Sequence, residues 1–400
     1  MAFPSLMTEN KSWIGRARSC VESYYYGPYQ ASFSYDPRDG VYLMPNCVGS
    51  HYAVRTTALK SIGGIGPELD EDLSTTMMFM AHGWKGVYSM DTYAGGHGPE
   101  TFACGMRQEY QWSRSAVLIY TRWRNVVHPT YAHFTPGLWI RASTTIYWYF
   151  SYVMWMVWIL GSSIAGFYAK WCTNADQACY FSLINIVLRT LPPAIIAFGH
   201  MTWCRRKGWL RWKNDERPPV FHPTEWIYRA VRVVWMATGV FAGLQELVTK
   251  RSSEFAVTKK GSDGKHPLNV AVLSPLIFLF VTMCFLFGIQ YAWKDSSDMG
   301  IAFYFFLCFV GIALLIGFIQ LMHFVENGVA HVQNTVGHIA LTTCVFGVVI
   351  AIGITQSAVI FTPAAANLFI PYFTFDHETY VLVGTYVVCS SYAVILALFL

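Results

Sequence analysis

Apolar residues are spread unevenly along the 400-residue chain. Up to about residue 140 they come in short runs broken by glycine, proline and acids. Beyond it they form long segments at 145–169, 179–203, 268–290, 299–324, 335–361 and 379–400. A hydrocarbon core about 30 Å thick is crossed by roughly 20 apolar residues in a helix, so each segment is a candidate crossing. Tyr147, Trp148, Tyr149, Trp155 and Trp158 crowd the first, which suits a helix sampling the headgroup belt. Arg189 lies within the second, just before Pro192-Pro193. A charge at that depth either lines a channel or snorkels from a broken helix.

The N-terminal part carries a different pattern. Residues 41–48 read as an apolar strand that turns at Gly49-Ser50 and leads into a helix ending at Gly63-Gly64. Asp70-Glu71-Asp72 then opens a second helix, with Leu73, Met77, Met80 and Ala81 at helical spacing and Gly83 as its stop. Trp84 to Tyr88 reads as a short buried strand, and Gly98-Pro99-Glu100-Thr101 opens a polar helix bearing Arg107, Gln108, Gln111, Trp112 and Arg114. Further on, Ile227, Ala230, Val231, Val234 and Trp235 share one helical face and Glu225, Arg229 and Arg232 the other. That pattern predicts an interfacial amphipathic helix rather than another crossing.

Composition supports an integral membrane protein: 54% of residues are hydrophobic, only 13% are charged, and the mean hydropathy is +0.34. The net charge of +5 is concentrated in two loops, Arg205 to Arg217 and Lys250 to Lys265. By the positive-inside rule both loops are cytoplasmic, and two crossings put the first 140 residues on the same side. The ten cysteines are scattered without a CxxC pair, which argues against a disulfide framework or a zinc site. The first residues lack the basic and apolar regions of a cleavable signal. A transporter would show matching halves with paired Gly or Pro breaks, and no such symmetry is visible.

Two constellations carry chemistry. Three acids at a helix start are often only a cap, because that end favours negative charge. A carboxylate there can also accept the proton of a sugar hydroxyl. Gln108 and Gln111 or Trp112 fall three and four residues apart and share a helix face. An amide beside an indole suits a sugar ring, whose C–H face stacks on the aromatic while its hydroxyls meet the amide. Asp70-x-Asp72 also fits a two-acid metal pattern, a match that chance supplies often.

The order Gly49-Ser50, Arg55, Asp70-Glu71-Asp72, Gly83-Trp84-Lys85, Pro99-Glu100-Thr101 and Gln108-x-x-Gln111-Trp112 resembles the second half of the catalytic domain of processive family 2 glycosyltransferases, with cellulose synthase as the best-known member. Phe255-x-Val257-Thr258-x-Lys260-Gly261 resembles the gating loop of the cellulose synthase group. The resemblance runs from about residue 2 to residue 320. It implies an α/β partial GT-A domain at 1–141, followed by an all-α transmembrane bundle of about six helices and one interfacial helix. Two crossings at 142–204, a basic loop, interfacial helix and gating loop at 205–266, and four crossings at 267–400 make up this region; the last two hydrophobic segments and the link Pro363 to Glu378 fall outside the resemblance and are expected as crossings from their length alone.

By the same resemblance Asp72 is the catalytic base, while Gly49, Ser50, Asp70, Glu71, Gln108, Gln111 and Trp112 bind the acceptor. Phe255, Val257, Thr258 and Lys260 close over the nucleotide. Gln111 stands where the family has arginine, a lost cation near the donor's diphosphate. Arg122-Trp123 offers a different alignment, which fails because Ile119 stands where glutamine belongs. The expected partners are a nucleotide sugar, UDP-glucose above all, a growing β-glycan and the bilayer, and not nucleic acid. Mg2+ or Mn2+ is expected, held mainly by aspartates of a nucleotide-binding half upstream of Met1. Asp36 and Asp39, in a Pro-Arg turn, do not replace those aspartates. This stretch alone is therefore expected to be inactive, completed by a missing N-terminal half or a companion subunit. A hyaluronan- or chitin-type synthase, or a non-catalytic or split subunit of a synthase complex, is the alternative. The expected location is the plasma membrane, with the catalytic part cytoplasmic.

Overall fold

The computed structural model describes residues 5–7, 12–35, 44–49, 52–89, 94–96, 98–121, 223–250, 268–292, 299–327 and 340–351, with short stretches at 37, 136–153 and 195–207. Its elements are β1 (Ser5–Met7), α1 (Trp13–Tyr24), α2 (Thr56–Ser61), α3 (Glu71–Ala81), β2 (Ala94–Gly96), α4 (Phe102–Thr121), α5 (Pro223–Thr249), α6 (Ser274–Ala292), α7 (Met299–Asn327) and α8 (Ala340–Ala351). The chain divides into two compact units, Met1–Met154 with Met201–His266 and Phe399–Leu400, and Trp155–His200 with Pro267–Leu398.

The described residues are mainly helical, so the α/β layer expected of the N-terminal part is not seen there. Strand pairing among them is confined to the parallel three-residue pair β1–β2 and a few single bridges. The apolar stretch at 44–48 shows why it joins no ladder: side chains take its backbone donors. Asn46 N–H donates to Gln30 Oε1 at 2.8 Å, Cys47 N–H to Thr76 Oγ1 at 2.7 Å, and Gly49 N–H to Asp72 Oδ2 at 2.9 Å. The two buried donors, at Asn46 and Cys47, are thus satisfied from helices instead of from a neighbouring strand. Trp84 to Val87 is likewise irregular, held by Tyr35 N–H donating to the Gly86 carbonyl at 2.8 Å.

In the first unit α2, α3 and α4 form where the sequence predicts them. Gly63, Gly64 and Gly83 have positive φ just past the ends of α2 and α3, a conformation glycine adopts without strain. Leu73, Met77, Phe79, Met80 and Ala81 of α3 pack with Met44, Cys47, Ala58 and Ile62, and Ile119 of α4 joins the same core. A second core joins α1, α4 and α5. Trp13 stacks on Phe102 with ring centroids 6.2 Å apart, and Phe102 meets Trp235 edge-on at 5.3 Å.

The charged face of the helix expected at the membrane surface is not a solvent face. α5 runs for 27 residues, and Glu225 and Arg232 lie on its buried face with Tyr228, Val231, Trp235, Val240 and Glu246. The reason lies on its partners, which bring opposite charges and acceptors to that face. Arg114 of α4 donates to Glu246 Oε2 from Nη2 at 2.7 Å and from Nε at 3.0 Å. The Tyr228 hydroxyl donates to Glu109 Oε1 and Arg232 comes within 4.0 Å of the same oxygen, while Glu225 is paired within α5 itself, with Arg229 at 3.0 Å. Gly239 and Gly243 let the two backbones approach. A Cβ on Gly239 would lie 2.0 Å from Ser113 Oγ and 2.3 Å from the Tyr110 carbonyl oxygen, and one on Gly243 would lie 3.0 Å from the Arg114 carbonyl.

In the second unit α6 and α7 lie against each other, with Phe280 and Phe309 edge to face at 6.2 Å. Phe309, Ile312, Ala313, Ile316 and Ile319 form the buried stripe of α7, while Phe278, Val281, Phe285, Leu314, Leu321 and Val325 are exposed. Among the described residues two helices are long and apolar enough to cross a membrane, Thr224–Thr249 and Cys308–Glu326. Val270–Phe285 and Ala340–Ala351 are shorter apolar helices. Most of the segments 145–169 and 179–203, and all of 379–400, lie outside the described residues.

Overpacking a close contact costs about 1–3 kcal/mol. Gly239→Ala is therefore expected to lower the thermal midpoint of the detergent-solubilised protein clearly; an unchanged midpoint would mean that α4 and α5 are not in close contact. Removing one partner of a buried pair costs about 3–5 kcal/mol, whereas replacing both by apolar residues is often near neutral. Arg114→Met should accordingly destabilise strongly in a denaturant titration, and Arg114→Met combined with Glu246→Met should recover most of the loss.

Candidate functional site

The acid cluster sits at the N-terminus of α3 and is built by the loop in front of it. Asp70 occupies the N-cap position, yet its side chain makes no capping hydrogen bond. Asp72, two residues into the cap, takes that part: its Oδ1 accepts from Leu73 N–H at 2.7 Å and its Oδ2 from Gly49 N–H at 2.9 Å. The backbone carbonyl of Asp72 accepts from Thr76 Oγ1 at 2.8 Å, and that hydroxyl oxygen accepts from Cys47 N–H. One threonine thus fastens the helix start to the Cys47–Gly49 segment. A Cβ on Gly49 would lie 3.2 Å from Glu71 Oε1 and 3.5 Å from Asp72 Oδ2, so the bare backbone there lets the carboxylates close in.

These contacts divide the three acids by role. Glu71 is exposed, and Asp70 and Asp72 are half-buried. Desolvation, and then the facing carboxylates of Asp72 and Glu71, push the Asp70 carboxyl well above the usual aspartate range. The crowding thus favours the neutral form of Asp70 beside Asp72. Burial likewise pushes the neighbouring Cys47 thiol up to about 11, so it is an inert wall of the cluster.

The amide and indole constellation forms on α4, but not on the single face that the spacing suggests. Gln108 turns toward α1, where its Oε1 accepts from Arg18 Nη1. The Arg18 guanidinium lies over the Trp112 ring, 4.4 Å from its centroid, and is paired with Glu22 one turn along. Burial alone would lower the pKa of Arg18. Glu22, followed by Tyr228 and Glu109, outweighs it, so the guanidinium stays charged. Gln111 turns the other way. It is buried between α4 and α5, its Oε1 accepting from Arg114 Nη1 at 3.0 Å, and that oxygen is committed to the packing.

Gly49, Asp70, Glu71 and Asp72 are therefore brought together, Gln108 and Trp112 form a second group, and Gln111 belongs to the helix seam. Ser50 and the loop residues Phe255, Val257, Thr258 and Lys260 lie outside the described residues. Trp148 is found beneath the Arg232 guanidinium at 5.2 Å, which accounts for it as packing. Among the described residues no group of three or more His, Cys, Asp or Glu side chains could hold a metal ion, so they offer no ligand set for the expected Mg2+ or Mn2+. Arg18 and Glu22 escaped the sequence reading. Their signal was present in Ser12 as a cap, Trp13, Ile14, Ala17, Cys20 and Val21 at helical spacing, and an Arg–Glu pair four apart.

No protein-family model matches the chain, and no curated protein matches it either.

A carboxyl whose pKa rises on folding binds its proton more tightly in the folded state. Stability therefore falls as pH climbs from the ordinary aspartate value toward the raised one. Asp70→Asn, which keeps a donor toward Asp72, should raise the thermal midpoint at pH 7.5, by about 2–4 °C for each kcal/mol gained, and leave it nearly unchanged near pH 3.5. Melting curves at the two pH values check this. A lower midpoint at pH 7.5 would show that Asp70 is not the proton carrier of the pair.

Proposed function

We propose that this chain forms the acceptor-binding and membrane part of an inverting glycosyltransferase that polymerises a β-glucan from a nucleotide sugar, UDP-glucose in the first instance. The single observation behind this reading is the built carboxylate at Asp72. Two backbone donors orient it, a carboxyl pushed toward its neutral form adjoins it, and the bare backbone of Gly49 lets it close in on the Cys47–Gly49 segment. A carboxylate so held is suited to take the proton of a sugar hydroxyl as that oxygen attacks an anomeric carbon from the face opposite the leaving diphosphate. Gln108 and the half-buried Trp112 supply an amide and a ring face of the kind a sugar needs.

The resemblance in motif order adds the finer parts of the reading: a GT-A fold completed by further sequence, and a lid at Phe255, Val257, Thr258 and Lys260 that excludes water over the nucleotide. It adds too the multi-pass passage of the polymer through the plasma membrane from the cytoplasmic side. The exposed apolar faces of α6 and α7 suit a hydrocarbon surround, and the basic runs at Arg205–Arg217 and Lys250–Lys265 suit the cytoplasmic side. Divalent-ion chemistry would have to come from residues other than those described.

A second reading, a non-catalytic subunit of a synthase complex, is favoured by one observation. Gln111 stands beside Trp112 without a charge and is tied into the α4–α5 seam. Incorporation of radiolabelled UDP-glucose into polymer, by membranes expressing the full reading frame that contains this chain, separates the two. Asp72→Asn should lower the rate by about 10²- to 10⁴-fold, the usual contribution of a general base, at a retained protein level. Polymer made at an undiminished rate by Asp72→Asn would remove Asp72 as base. Silence of the unaltered protein with UDP-glucose, UDP-GlcNAc and UDP-glucuronate would favour the subunit.

A further inference from the structure

Arg18 takes no part in the proposed proton transfer, and its surroundings are unusual for an arginine. It is 2% exposed, lies over the Trp112 ring, and donates to Gln108 from one nitrogen and to Glu22 from another. Guanidinium carries five donors and no acceptor, so the Gln108 atom facing it can only be the amide oxygen. The Gln108 Nε2 group is thereby turned away from Arg18, with two N–H donors to offer. Arg18 is buried, whereas Trp112 is only half-buried and keeps part of its surface exposed. Glu22 balances the charge, which makes the assembly a neutral, prebuilt support and not an anion site.

We propose that Arg18 is a positioning residue that makes Gln108 and Trp112 into a donor-only sugar subsite, with the amide N–H groups set for a hydroxyl or ring oxygen and the indole set for the C–H face of the same glucose unit. This rests on the reading of α4 as acceptor-binding and assigns how that site selects. Carbohydrate hydroxyls both donate and accept, and a subsite offering only donors selects the sugar whose lone pairs point at it. Arg18 acts through its two neighbours and is separated from the sugar by both.

The test is binding of cellohexaose, and in parallel laminarihexaose, to the full chain in lipid nanodiscs by isothermal titration, with the variants Arg18→Met, Arg18→Lys, Gln108→Glu and Trp112→Ala. Gln108→Glu is the decisive one. It keeps and strengthens the partnership with Arg18 and holds the fold, yet removes both outward donors. Expected is at least tenfold weaker binding for Gln108→Glu and Arg18→Met, partial recovery in Arg18→Lys, and loss in Trp112→Ala, with thermal midpoints of Gln108→Glu and the parent alike. Parent-like affinity in Gln108→Glu or in folded Arg18→Met, beside loss in Trp112→Ala, overturns the role of Arg18 while leaving the acceptor site standing. Absence of binding by the parent chain to either oligosaccharide overturns both.

Discussion

The contact between α4 and α5 is the constraint from which the first unit is built. Two helices bearing ordinary side chains lie 8–10 Å apart. Gly239 and Gly243 remove the side chains where α5 meets the Tyr110–Val117 stretch of α4, so backbone comes against backbone. Closing that gap excludes water from everything along the seam, including Arg114, Glu109, Arg232 and Glu246. A charge so enclosed is tolerable only with its partner in place, and here each cation meets a carboxylate on the facing helix. Such pairs add little net stability over apolar packing. Their effect is on register, since a slip of α5 by one turn would leave several buried charges facing hydrocarbon.

A helix gripped this firmly along one side can present its other side with accuracy. Gln111 and Arg114 belong to the gripped side, and Gln108 and Trp112 look toward α1. The same helix reaches by Ile119 into the core under α3, whose first turn holds the acid cluster. In the proposed reaction, aligning a sugar hydroxyl with its base and its target carbon tolerates errors of only a fraction of an ångström. Rigid elements cross-tied at both ends of α4 provide that accuracy better than loops would.

How much of this was legible in the sequence varied with the range of the interaction concerned. The helices at 56–61, 71–81 and 102–121 were readable because caps, apolar spacing and stop glycines are local signals. The described part of the expected strand, 44–48, joins no ladder, because whether an extended run does so is decided by what satisfies its donors, and Gln30 and Thr76 arrive from elsewhere. The face of α5 was misjudged for a related reason. Polar residues were assigned to water, and the acids and arginines waiting on α1 and α4 cannot be seen from α5 alone. In the site, Asp72 and Gly49 were found by order of motifs, whereas Arg18 lies ninety positions from the amide it orients.

The long sequence separation within the seam bears on how the protein is made. Arg114 and Glu246 are 132 residues apart, and a ribosome adding about 5–20 residues per second leaves α4 waiting for roughly ten seconds before α5 has been synthesised. During that interval α4 has neither its buried counter-ions nor a surface to cover its small residues. The first unit is thus completed late, by a helix encoded beyond two long hydrophobic segments. Until then the first unit is an open, charged half-bundle of the kind that quality-control proteases can recognise.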